Sequence, residues 1–297
     1  MFFKRTTTTR VRLGAVDVVL TTTIGRLRRD YTRLYRESIV DAVPDDAIHI
    51  DVARSGGALG LRRRFDIRVN GRLRFSPYRY EELLPYVEWS VNWEIPHVMP
   101  QYLHLHAASM ELDGRGLVLA GDAGSGKSTL ALGLMRHGWR YLCDEFALID
   151  TNSLSLTPYP RAVCVKRSGY PILDAMGVAP RCGRRHIKGV KGHVTFVSPH
   201  SIHSDAVGRA CPVRCIVFPR YEAGATPVLA PISRARAAFN LHRVCFNLFG
   251  CRRPALDMLA GIARGAECYQ LRTGDLDDTC RLLTDVVRSE TTASRCA

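Results

Sequence analysis

The sequence predicts an α/β protein in which a P-loop core, residues 101–297, follows a small N-terminal α/β domain, residues 1–100. Three observations predict it. Gly121 to Ser128 spells the complete pattern G-x-x-x-x-G-K-[ST]. A short apolar run, Leu117 to Ala120, precedes that pattern, and a helix-like stretch, Ser128 to His137, follows it. Asn70–Gly71 and Asp113–Gly114 stand between alternating segments, as hairpin turns with positive φ require.

In chain order, Val11 to Leu20 reads as a strand and Ile24 to Val43 as a helix, with Leu27, Tyr31, Leu34 and Ile39 as its apolar positions. Phe65, Ile67 and Val69 alternate with polar residues, turn at Asn70–Gly71, and continue at Leu73 and Phe75. A helix is expected from Tyr80 to Trp93, ended by Pro96 and Pro100. Leu103 to Leu112 reads as one strand, turning at Asp113–Gly114 into Leu117 to Ala120. After the helix and its stop at Gly138, Phe146 to Ile149 is another strand, and Pro158 and Pro160 mark a loop. Strands are expected at Cys211 to Phe218 and Cys268 to Leu271. Asp275 caps a last helix with Leu276, Cys280, Leu283 and Val287 on one face.

Composition narrows the function classes. No apolar run reaches the ~20 residues of a membrane helix, and no apolar stretch follows the basic N-terminus, so a cytoplasmic protein without a membrane partner is expected. The net charge of +14 comes from arginine, since there are five lysines. The arginines are scattered; the densest runs, Arg62 to Arg64 and Arg184–Arg185, match no RNA-binding or helix-turn-helix pattern, and no nucleic-acid partner is expected. The ten cysteines include no C-x-x-C pair, and Cys211 and Cys215 lack a second pair, so reduced thiols rather than a zinc site are expected.

The P-loop specifies chemistry. Its cofactor-binding positions are Gly121, Asp122, Ala123, Gly124, Ser125, Gly126, Lys127, Ser128 and Thr129. The glycines let successive N–H groups converge on phosphate oxygens, and the following helix adds the positive end of its dipole. Lys127 reaches the β- and γ-phosphates and Ser128 ligates magnesium, so ATP and Mg²⁺ are the expected ligands. Asp144 and Glu145, adjacent at a strand end, point to opposite faces; a metal ligand and a general base are the roles open to them. His104 and His106 share one face of the strand before the P-loop.

His106 lies 15 residues before Gly121, and Asp144 lies 23 after it. With these spacings, Leu105 to Ala108, Gly121 to Ser128 and Gly138 to Glu145 resemble the HPr kinase/phosphorylase family, most closely its HPr-kinase-related branch (HprK-related kinase A type). The resemblance extends to Val91-Asn92-Trp93, Lys188-Gly189, Phe218 to Gly224, Cys268-Tyr269 and Gly274-Asp275-Leu276. It implies a mixed sheet in the core, as in HPr kinases and phosphoenolpyruvate carboxykinases. It also implies a kinase that moves the γ-phosphoryl group to a hydroxyl, of serine or threonine, on a peptide or small protein. Asp144 then matches the catalytic aspartate, His106 its partner and Ser128 the metal ligand; beside them the residues themselves give Lys127 a catalytic role on the phosphates and Glu145 a second place on the metal. Two departures stand out: the second acid is glutamate, and Arg184 to His193 replaces the segment that serves phosphorylase action and HPr contact. HPr itself is therefore not the expected acceptor, and homo-oligomerisation is left open. A small-molecule or carboxykinase-like enzyme and a non-catalytic ATP-binding switch are the alternatives.

Replacing Lys127 tests the motif. Lys127→Ala should abolish ATP turnover, a loss of ~3–4 kcal/mol in transition-state stabilisation, measured as phosphate release; turnover at the wild-type rate would contradict a phosphate-binding role for this loop.

Overall fold

The computed structural model of the chain describes residues 6–55, 64–251 and 254–293. Arg62 and Arg63, part of the arginine run named above, lie outside them. The chain divides into two compact units, Met1–Val98 with Ala162–Ser201, and Met99–Arg161 with Ile202–Ala297. The sequence reading drew one boundary near residue 100; here residues 162–201 also group with the first unit.

The first unit opens with β1 (Thr7–Leu13) and β2 (Val16–Thr22), antiparallel neighbours in register Leu13 to Val16. The stretch expected as a single strand is thus a hairpin, turning at Gly14, whose φ of +64° suits glycine. Helix α1 (Gly25–Leu34) is shorter than expected. Leu27, Tyr31 and Leu34 are buried at helical spacing, whereas Ile39 lies beyond the helix and forms a bridge to Val11. β3 (Ile48–Ser55), β4 (Arg64–Val69) and β5 (Arg72–Phe75) complete a sheet in the order β1-β2-β3-β4-β5. The β4–β5 turn has positive φ at Asn70 and Gly71, as the sequence predicted. Helix α2 (Leu83–Val98) runs through Pro96 instead of ending before it. Pro96 falls in the last turn, where its missing N–H forfeits one bond rather than the helix.

The second unit begins with β6 (Tyr102–Leu105) and β7 (Ala107–Leu112), which the sequence reading had taken as one strand. The chain bends at His106 because it changes partners: β6 pairs with a later strand, whereas β7 pairs with β8 (Arg115–Ala120). Asp113 and Gly114, both at positive φ, make the expected turn. Helix α3 (Lys127–Arg136), β9 (Arg140–Cys143), β10 (Ala147–Asp150) and β11 (Ser155–Thr157) follow. The chain then contributes β12 (Val163–Lys166), α4 (Tyr170–Ala175), β13 (His186–Ile187) and β14 (His193–Val197) to the first unit, where the strands form a sheet in the order β12-β14-β13. It returns to the second unit as β15 (Cys211–Tyr221), β16 (Val228–Pro231), α5 (Arg234–Arg243), α6 (Ala255–Arg264), β17 (Glu267–Thr273) and α7 (Leu276–Ala293).

Among the described residues the second unit's sheet has nine strands, ordered β6-β10-β11-β15-β8-β7-β9, with β17 beside β15 and β16 beside β17. It is mixed: β15 runs parallel to both β8 and β17, and β7 runs antiparallel to β8 and β9. Leu117 to Ala120 of β8 and Cys215 to Phe218 of β15 are unbroken apolar runs, as burial on both faces demands, and Val118, Ala120, Ile216 and Phe218 enter one core with Ala237, Met258 and Ile262 of α5 and α6. On α7, Asp275 accepts the N–H of Asp278 at 2.9 Å, and Cys280, Leu283 and Val287 are buried, as expected. Trp139, fully buried, donates to Thr284 on α7 at 2.9 Å.

Helix α3 approaches α7 closely at Gly133, where a Cβ would lie 2.8 Å from both Cys280 Sγ and Leu276 Cδ1. Gly133→Val should therefore destabilise the protein by about 1–3 kcal/mol, the usual cost of overpacking, read as a lower thermal midpoint. An unchanged midpoint would mean that the two helices separate without cost.

Candidate active site

Strand β8 delivers the chain into the loop and α3 carries it away. Gly124 and Gly126 both adopt φ of +95°, which glycine accommodates without strain. Gly126 precedes α3, and no side chain caps that helix. Lys127 is buried, and its Nζ donates to the carbonyls of Gly121 at 2.6 Å and Asp122 at 3.0 Å. The ammonium thus arches back across the start of the loop. Asp122 and Ala123 are exposed, Ser128 and Thr129 half-buried, and the buried Oγ of Ser125 has no hydrogen-bond partner.

Asp144 and Glu145 follow β9 directly. The chain bends at both residues rather than continuing as a strand, so the alternation expected of extended neighbours does not apply, and Arg161 acts on both acids. Asp144 is buried; it accepts a hydrogen bond from the Tyr141 hydroxyl at 2.9 Å, and the side chain of Ser128 lies close enough to favour its charged form. Glu145 instead faces Arg161, with 3.6 Å between Oε2 and Nη1, and that guanidinium is wholly buried. Burial raises the pKa of Asp144 above the ordinary 3.8, and the neighbouring Glu145 charge adds to this; Arg161, Tyr141 and Ser128 pull the other way without cancelling it. Loop and acidic pair, far apart in sequence, are thus brought together through Ser128 and Asp144.

The two histidines separate. His104 is fully buried, its Nε2 lies 3.2 Å from the Met99 carbonyl, and burial pulls its pKa down to about 4, which keeps it neutral. His106 sits at the bend between β6 and β7. Its N–H donates to the Val244 carbonyl at 2.7 Å, and its ring meets Phe246 edge-on at 5.8 Å; Phe246 in turn meets Phe146 at 5.0 Å.

Sequence reasoning missed Tyr141 and Arg161. Tyr141 falls within the Gly138 to Glu145 segment without having been given a role, and Arg161 follows the Pro158–Pro160 loop, where nothing marks it as interior. It also missed a cleft of about 510 Å³ beside the loop, lined by Asp122, Ser125, Arg220, Tyr221, Arg236 and Arg243 among others. Arg184 and Arg185, by contrast, are committed within the first unit, to Asp174 and Asp30 respectively.

Among the described residues no group of three or more His, Cys, Asp or Glu side chains is placed to hold a metal ion. Magnesium in phosphoryl-transfer sites takes one or two carboxylates, with phosphate oxygens and water completing its shell. Ser128, Asp144 and Glu145 fit such a set, and the unpartnered Ser125 hydroxyl suits a phosphate oxygen. No helix among the described residues is long and apolar enough to cross a membrane.

No family model matches the chain. Curated relatives do. The HPr kinase/phosphorylase of Xanthomonas campestris pv. campestris is 36% identical over 76 residues, 26% of this chain and 23% of that protein. That of Xylella fastidiosa is 36% identical over 70 residues, 24% and 21% of the two chains. The alignments thus span less than a quarter of the relatives' length. Among solved structures, the HPr(Ser) kinase/phosphatase from Coxiella burnetii aligns with 64% of this chain and 98% of its own, at a TM-score of 0.33 and 14% identity.

The raised pKa of Asp144 has a consequence for stability. Between the ordinary carboxylate value and the raised one, the folded state binds more protons than the unfolded state, so stability falls as pH rises through this window. The penalty is fully present above the raised pKa and absent below about 3.8. Asp144→Asn should raise the thermal midpoint at neutral pH, and the gain should vanish toward pH 4. A gain independent of pH would show that the carboxylate is not the source.

Proposed function

As a chain related to the HPr kinase/phosphorylases over part of its length, this protein is, we propose, an ATP- and Mg²⁺-dependent kinase that phosphorylates a serine or threonine hydroxyl of a peptide or small protein. One observation supports this above the others: the P-loop Ser128 lies beside Asp144, a buried carboxylate with a raised pKa. Phosphoryl transfer requires positioning, charge neutralisation and somewhere for the acceptor's proton to go, and this pairing puts a base beside the phosphate-binding loop.

In this reading the loop N–H groups and Lys127 hold the β- and γ-phosphates. Ser128 and Glu145 would hold the metal, which would supply further positive charge against the phosphate oxygens. Asp144 takes the acceptor's proton, which its raised pKa favours. Tyr141 fixes the carboxylate's orientation, and Arg161 limits its pKa rise. His106 is a positioning residue at the edge of the site. HPr is not the proposed acceptor, because glutamate stands at the second acid and because Arg184 to His193 departs from the family segment.

The same Ser128–Asp144 contact favours a second reading, in which Asp144 is the metal-side acid and Glu145, held by Arg161, acts on the acceptor. Phosphoryl transfer and nucleotide binding of Asp144→Asn and Glu145→Gln across a Mg²⁺ titration separate the two. The proposal expects Asp144→Asn to keep ATP affinity within several-fold while transfer falls by roughly 10²–10⁴. It expects Glu145→Gln to shift the half-maximal Mg²⁺ concentration. Loss of nucleotide binding in Asp144→Asn, with loss of the chemical step alone in Glu145→Gln, would reverse the assignments.

A further inference from the structure

The cleft beside the P-loop is strongly basic. Arg236, Asn240 and Arg243 line it from α5, at spacings of four and three that put them on one helix face. Arg220 and Tyr221 line it from the end of β15, and the loop residues Gly121 to Ser125 close the other side. Arg220, Arg236 and Arg243 are exposed, and the side chain of none of them makes an ion pair or hydrogen bond among the described residues. Arginines elsewhere are committed differently: Arg140 to Asp205, Arg161 to Glu145, Arg181 to Glu37. Three guanidiniums gathered on one cleft outnumber its single acid, Asp122, and are suited to an anion supplied from outside.

Apolar side chains adjoin these charges. Phe239 lies three residues after Arg236 and four before Arg243 on α5 and is exposed; Phe246, just beyond the helix, is exposed as well. Val244 lines the cleft and its carbonyl accepts the N–H of His106, whose ring packs on Phe246. Phe246 meets Phe146, two residues beyond Asp144. A chain of contacts therefore leads from the cleft through His106 and Phe246 to Phe146, which follows the acidic pair. Ser128, Asp144 and Glu145 do not line the cleft, so it is separate from the metal side of the loop.

We infer that this cleft is the docking subsite for the acceptor peptide and that it selects peptides carrying acidic residues near the phosphorylated hydroxyl. The word acceptor rests on the kinase reading above; the binding itself does not.

The test is fluorescence anisotropy with a fluorescein-labelled oligoglutamate peptide, alone and with a saturating non-hydrolysable ATP analogue. The wild type should bind the peptide in both conditions. Arg220→Ala/Arg236→Ala/Arg243→Ala should bind it about tenfold or more weakly, the loss expected on removing charge-assisted hydrogen bonds. Arg136→Ala/Arg209→Ala/Arg214→Ala, equal in charge and outside the cleft, should bind it within about twofold of wild type, which separates a site from general attraction to a basic protein. Equal weakening in both triple variants, no binding by the wild type, or displacement of the peptide by the ATP analogue would overturn the inference, the last by giving the arginines to the nucleotide. Lys127→Ala should lose the analogue and keep the peptide. If the wild type binds the peptide but not the analogue, the nucleotide reading fails while the subsite stands.

Discussion

The candidate site depends on keeping a carboxylate inside the protein. Burying Asp144 is unfavourable unless its oxygens find donors and opposite charge, and the chain meets that demand from three directions. Tyr141 comes from the same strand, β9; Ser128 arrives through β8 and the P-loop; Arg161 stands at the end of the loop after β11. One side chain thereby fixes the position of three segments. The opposition is incomplete, since burial and the Glu145 charge outweigh the favourable partners, and the result is a carboxylate with more affinity for a proton than an exposed aspartate has.

The mixed sheet explains why the two sides of the loop differ. On one side, β7 and β9 run antiparallel, so the end of β9 presents the acidic pair. On the other, β15 runs parallel to β8, and its C-terminal end lies beside the start of the loop. The residues there, Arg220 and Tyr221, are joined by Arg236 and Arg243 from α5. Acids gather at one edge and arginines at the other, with the glycine loop between them.

Much of this was legible in the sequence where local chemistry decides structure. The P-loop, the two turns with positive φ and the capping Asp275 follow from residue type and spacing alone. The mixed sheet was legible because a whole pattern of spacings resembled one family, but the approach of Ser128 to Asp144 was not, since the resemblance paired Asp144 with His106. The bend at His106 was not, because alternation continues unbroken from Leu103 to Leu112 and only the exchange of partner strands interrupts it. Arg161 and Tyr141 were illegible for a related reason: an arginine after a proline loop and a tyrosine in a strand become partners of Asp144 only through tertiary placement. The arginine-lined cleft assembles residues 220, 236 and 243 across a strand end and a helix, a grouping that the scattered distribution of arginines in the sequence conceals.

The grouping of residues 162–201 with the first unit makes that unit discontinuous. The chain passes between units near residues 98, 161 and 201. During synthesis the P-loop, α3 and the acidic pair leave the ribosome before the earlier unit has received β12, β13 and β14. The first unit is complete only once residues 162–201 have been made, and the second unit's sheet only once β15 is available to pair with β8. Folding of both units is thereby tied to contacts of long sequence separation, the kind that form slowly. The two halves mature together rather than in the order in which they are made.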